Sequence, residues 1–113
     1  MIEFPLKFNN GRQYIQIRVW SSPRKFYNKF GDCIGIYFRY RDRKPRVGKF
    51  GEINLVQAHT DHELVAHELL HFLIDLVRER NGEITKRNEE RIVSEYGNLI
   101  KRFWRIYDKR IGN

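Results

Sequence analysis

The stretch Leu64–Val77 constrains this chain more than any other, because it is apolar almost all round yet carries His67, Glu68, His71 and Asp75. Fourteen such residues without a breaker are too long for a typical strand, and a helix that is apolar on every side belongs in a core. Ionisable groups on a core helix are costly: an uncompensated buried carboxylate alone costs several kcal/mol, on the order of the penalty for any desolvated ion. Something must pair with them.

The spacing says what. Residues four apart on a helix stand one above the other, so the His67 and His71 imidazoles project from one face and can close on a single metal ion. Glu68 is rotated about 100° from His67, which keeps its carboxylate off the metal but beside the position of a metal-associated water. Such a water has its pKa lowered to roughly 7, and a neighbouring carboxylate can accept its proton. His67 and His71 are therefore candidate metal ligands and Glu68 a candidate general base.

No histidine follows His71, so a third ligand on the C-terminal side must be a carboxylate. The next helix, expected from Thr85 to about Arg110, presents Glu89, Glu90 and Glu95 near its start. Glu90 shares its face with Val93, Ser94 and Gly97, small residues that suit a close approach to the metal helix. Glu89 shares its face with Ile92, Val93, Tyr96 and Phe103, a better core stripe. Glu90 is the preferred third ligand, Glu89 the alternative, and Glu95 a distant third. The remaining carboxylates need only the macrodipole of a helix N-terminus to explain them.

His67-Glu68-Leu69-Leu70-His71 followed by Glu90-x-x-Val93-x-x-Tyr96-Gly97 resembles the gluzincin metallopeptidases, and most closely the small phage and bacterial peptidases of the ImmA/IrrE type. The separation of His71 from Glu90 is similar to that of aminopeptidase gluzincins, whereas Asn88-Glu89 resembles the Asn-Glu of thermolysin-like enzymes, a register one residue different. The likeness spans roughly residues 50 to 105 and is specific only at the first motif. It implies a zincin-like fold, a Zn2+ cofactor and hydrolysis of peptide bonds. The aspartate that follows the ligand in thermolysin-like enzymes is replaced here by Val93 or Ser94, and Asp75, one turn beyond His71, is a candidate to orient a ligand histidine instead.

The remainder of the chain reads as one domain spanning residues 1–113, 41% hydrophobic and 14% aromatic, enough for a single core. Ile2, Phe4, Leu6 and Phe8 alternate, Asn10-Gly11 is a hairpin turn, and Ile15, Ile17 and Val19 alternate again. Ser21-Ser22-Pro23 breaks the pattern, and the aperiodic segment from Ser21 to Gly31 is a candidate lid. A strand is expected over Ile34–Tyr40, a charged turn over Arg41–Arg46 and a strand over Val47–Val56. Thr60 with Glu63 forms a capping box that starts the metal helix, and Asn81-Gly82 stops it. The expected fold class is α+β: an antiparallel sheet of three or four strands, then two helices carrying the ligands. In that order Gly51–Val56 holds the place of the edge strand that lines a zincin cleft, where an extended substrate adds by β-augmentation.

Smaller signals complete the reading. His62 lies about 140° from His67 round the helix and points away from the metal; His59 and Tyr96 are candidates to hold an oxyanion. Cys33, the lone cysteine, is most simply a small core residue. The start Met1-Ile2-Glu3-Phe4-Pro5 lacks a leader pattern, no run is long enough to span a membrane, and the expected compartment is the cytoplasm.

Charge supplies a rival class. The formal net charge is +8 and the pI about 9.9, with Arg39, Arg41, Arg43, Lys44 and Arg46 at one turn and Lys101, Arg102, Arg105, Lys109 and Arg110 on the last helix. Both groups suit phosphates, with aromatics nearby for stacking, although no familiar nucleic-acid-binding motif accompanies them. The partners implied are a peptide or acidic protein substrate, or a nucleic acid if the chain is a binding module without proteolytic activity. The native metal stays open, since two histidines and a carboxylate also suit iron or manganese.

Overall fold

Alternation builds the first half of the molecule. The computed structural model describes residues 1–39, 47–80 and 82–112. Strand β1 (Ile2–Phe8) buries Phe4, Leu6 and Phe8 and turns through Asn9, Asn10 and Gly11, all at positive φ, into antiparallel β2 (Gln13–Trp20), which buries Ile15, Ile17 and Val19. Pro5, which cannot donate to a ladder, is tolerated because β1 lies at the sheet edge.

Helix α1 (Pro23–Phe30) follows, where the sequence shows no clear periodicity and offers only a candidate lid. Ser22 caps it by accepting from the Lys25 N–H, and Pro23 sits at its first position. Phe26 and Phe30 pack against Trp20, and Phe30 against Phe38. Trp20 and Phe38 alternate away from Val19 and Tyr37, which join the main core. Helix α1 therefore covers the sheet face opposite the helix that carries His67 and His71, rather than lying over those residues.

Strand β3 (Gly35–Arg39) and strand β4 (Lys49–Val56) complete a four-stranded sheet of order β1-β2-β4-β3. The expected antiparallel sheet is instead mixed, since β4 runs parallel to β2 and antiparallel to β3. Nor is the Gly51–Val56 strand an edge. Every residue from Phe50 to Val56 is buried, as a strand flanked on both sides requires, whereas the five residues of β3 are all half-buried. The edge beside the helix that carries His67 and His71 is β3. The expected charged turn at 41–46, and Tyr40 at the end of the preceding strand, lie outside the described residues.

Helix α2 (His62–Arg80) is capped one residue later than the Thr60 box implies: the Asp61 carboxylate accepts the Leu64 N–H at 2.8 Å. Thr60 instead donates its hydroxyl to the Val56 carbonyl and closes the short 3-10 turn Gln57–His59. At the far end Gly82, at φ +78°, returns its N–H to Val77. Helix α3 (Glu89–Arg110) begins four residues after the expected Thr85, because the Asn88 side chain folds back to the Thr85 N–H and the Glu83 carbonyl and holds that segment as a turn. Its Ile92, Leu99, Phe103 and Tyr107 join Val65, Leu69, Phe72, Leu73 and Leu76 of α2 over the inner face of the sheet. The class is α+β.

Candidate metal centre

Helix α2 places its ionisable residues on two sides. His67 and His71 project outward, exposed, with their Nε2 atoms 3.1 Å apart and their rings nearly perpendicular at 79°. Two nitrogens on adjacent vertices of a zinc tetrahedron, with bonds of about 2.0–2.1 Å, stand roughly 3.3 Å apart. The pair therefore fits two metal positions with little adjustment.

Glu68 turns inward and is only 5% exposed, while its Oε1 stays 3.9 Å from His67 Nε2. Burial raises its pKa above the ordinary carboxylate range, opposed by the two imidazoles and by the backbone N–H that Tyr37 donates to it. That donor comes from the sheet edge. The bond from the Val56 N–H to the Ile34 carbonyl fixes the ladder, so Ile36 and Phe38 direct their backbone groups to β4, and Gly35, Tyr37 and Arg39 direct theirs outward along the free edge. Gly35 makes the approach feasible: a Cβ there would lie 2.9 Å from Leu64 Cδ1 and 3.3 Å from Glu68 Cγ.

A groove follows this edge. Cavities of about 480 Å³ and 470 Å³ open on either side of His67 and Glu68, sharing Gly35 as a wall. Cys33 and Asp61 line the first; Tyr37, His71 and Asp75 line the second. Cys33 is thus a half-buried wall residue, not the core residue expected.

Asp75 is engaged elsewhere than on a histidine. Its carboxylate accepts the Tyr37 hydroxyl at 2.6 Å and lies 3.6 Å from Arg39, which also pairs with Glu79 at 2.6 Å. Burial, then the bond to Asp75, pushes the Tyr37 hydroxyl far above its ordinary range. This network ties the sheet edge to α2. The pattern that could have revealed it was present: Tyr37 and Arg39 share one face of a strand, and Asp75 and Glu79 one face of a helix.

The glutamates of α3 stand differently from the arrangement expected. Glu89 and Glu90 are exposed in the first turn, and Glu95 pairs with Arg80 at 3.3 Å. The Val93, Ser94 and Gly97 face beside Glu90 is open, with Val93 58% exposed and no atom within 4 Å of a Cβ built on Gly97. Small residues there do not serve helix packing; the packed face is the one through Ile92 and Phe103. Among the described residues no three His, Cys, Asp or Glu side chains are gathered as a metal group, so neither Glu90 nor Glu89 stands with the histidines.

The oxyanion candidates are also placed. Tyr96 donates its hydroxyl to the Ala66 carbonyl at 2.7 Å, pinning α3 to α2 one residue before His67. His59 is exposed and lines neither cavity, and the His62 ring rests on Trp104 at 4.3 Å, away from His67 and His71 as expected. Arg39 is ion-paired, and Arg41 to Arg46 lie outside the described residues. No helix among the described residues is long and apolar enough to cross a membrane. Comparison with protein-family models, with curated proteins and with solved structures finds no match to this chain.

Proposed function

We propose that the chain is a zinc-dependent peptidase of gluzincin type, in which His67 and His71, with Glu90 or else Glu89 as third ligand, hold the metal and Glu68 is the general base. The observation that carries this reading is the pairing of two outward imidazoles, 3.1 Å apart, with a buried carboxylate one residue along, at the floor of a groove. Zinc bound there would polarise a peptide carbonyl and acidify a water. The chain's own residues do the rest. Glu68, its proton affinity raised by burial, accepts a proton from the attacking water and passes it to the leaving amine. The outward Gly35 and the Tyr37 carbonyl on β3 bond an extended substrate by β-augmentation, taking the role the sequence alone suggests for Gly51–Val56. The Tyr37 N–H holds Glu68, so a substrate strand meets the remaining groups of that edge.

One observation favours a second reading, a binding module without hydrolysis: the third carboxylate is not gathered with the histidines. Elemental analysis of the untagged protein decides. About one zinc per chain, lost in His67→Ala and in either Glu90→Ala or Glu89→Ala, supports the three-ligand site. Zinc retained in both glutamate variants removes the gluzincin assignment, and no zinc in the parent after metal is supplied removes the enzyme.

A further inference from the structure

Helix α3 buries one face and leaves its opposite face to solvent, and that outer face carries Arg91 near its start and a run of cations through its C-terminal half. Arg91, Asn98, Lys101, Arg102, Arg105 and Lys109 fall within about 100° of one another round the helix, and all are exposed except Arg102, which is half-buried. No carboxylate lies within the stripe. Glu95, at one border, is taken by Arg80, Glu90 and Asp108 stand at the other about 20° from Lys101, and no ion pair engages these cations among the described residues.

Ordinary helix chemistry does not account for this. The macrodipole favours cations only in the last turn, which covers Lys109 but not Arg91, Lys101 or Arg102. Lys101, Arg105 and Lys109 moreover form an i,i+4 ladder of like charges, each step destabilising by about 0.2–0.5 kcal/mol. A face that only needed solvation would alternate signs. The helix of 22 residues spans about 33 Å, close to the roughly 34 Å of one duplex turn. Its cations face solvent, where they can meet a regular line of charge, whereas its apolar face, spent on the core, has nothing left to insert into a lipid surface.

We infer that the outer face of α3 binds the phosphodiester backbone of nucleic acid without reading sequence. The inference does not rest on the metal reading, because none of the stripe's cations is a proposed ligand, although Lys101 lies only about 40° from Gly97 and about 20° from Glu90 round α3. Four phosphate contacts give a salt slope of about −3.6, which weakens binding roughly 150-fold between about 50 and 200 mM salt.

The test is fluorescence anisotropy of a labelled duplex of about 20 base pairs with the full chain across that salt range, comparing two double reversals of equal charge. Arg102→Glu with Arg105→Glu removes two contacts. Arg24→Glu with Lys25→Glu changes exposed cations of α1 on the other side of the sheet. The first is expected to lower affinity more than tenfold and flatten the slope by about 1.8, and the second to leave the slope within error. The milder Arg102→Gln with Arg105→Gln should reproduce the loss with unchanged thermal midpoint and zinc content. Absence of binding at low salt, equal loss in both reversals, or equal competition by polyglutamate at matched charge overturns the assignment, the last in favour of an acidic protein partner.

Discussion

Glu68 sits where burial works against its charge, and that makes it a liability in the fold. Its folded carboxyl holds a proton more tightly than the unfolded one, so its contribution to stability falls as pH rises from the ordinary carboxylate range through the raised value. Metal-free Glu68→Gln is therefore expected to melt above the parent at neutral pH, with the difference closing in acid; equal midpoints at neutral pH would contradict the burial account. If the proposed peptidase reading holds, the same substitution should keep zinc and cut peptide hydrolysis by about 10²–10⁴-fold. Gly35 is the matching backbone position. Gly35→Ala sets a methyl 2.9 Å from Leu64 and 3.3 Å from Glu68, which should cost about 1–3 kcal/mol by overpacking and lower activity with it, measured by urea denaturation beside a peptide assay. The Gly35 contact was not readable from residue types, because a glycine at the start of an apolar strand announces neither its neighbour nor its clearance. The histidine pair was readable, since helical spacing alone sets the distance between two side chains one turn apart.

At the scale of elements, the sequence signals succeeded where a local pattern determines the outcome. The hairpin, the apolar α2 and the glycine stop at Gly82 follow from alternation, hydrophobic run and positive φ. They failed where two local patterns competed. Thr60 with Glu63 and Asp61 with the Leu64 N–H are both credible starts for α2, and Asp61 makes the bond. Asp61→Ala is thus expected to cost about 0.5–2 kcal/mol and Thr60→Ala less, a ranking that thermal melts can reverse. Likewise Asn88, by turning back to Thr85 and Glu83, delays α3 and leaves Glu89 and Glu90 in its first turn, a choice invisible to helical periodicity. The small-residue face beside Glu90 misled for a further reason: small side chains mark close packing only when a partner is present, and this face has none.

Across the whole molecule, the class of fold was legible and the sheet order was not, because order depends on which strand can be buried on both sides. Strand β4 can, and it brings Glu52 with it onto the outer face. Burial alone would raise the Glu52 carboxyl, but its ion pair with Lys49, the Arg18 guanidinium 3.5 Å away and the Asn54 amide outweigh it and lower the pKa from the ordinary 4.5. A folded carboxyl that binds its proton more weakly than the unfolded one stabilises the protein above the ordinary value and ceases to as pH falls through the lowered one. Glu52→Gln should cost about 1–3 kcal/mol near neutrality, and that cost should vanish in acid; an equal cost at both ends of a pH series of melts would exclude the linkage.

The position of β4 also sets the order of events during synthesis. Strand β2 leaves the ribosome long before its parallel neighbour, with α1, β3 and the segment after it made in between. Until β4 arrives, the β1–β2 hairpin carries an open row of donors and acceptors beside an apolar face, the arrangement most prone to pairing with another chain. The central pairing is the most distant in sequence of the sheet's three, and distant pairings close slowly. Yield on refolding should accordingly fall with protein concentration, and the nascent chain has most need of a chaperone in the interval between its second strand and its fourth.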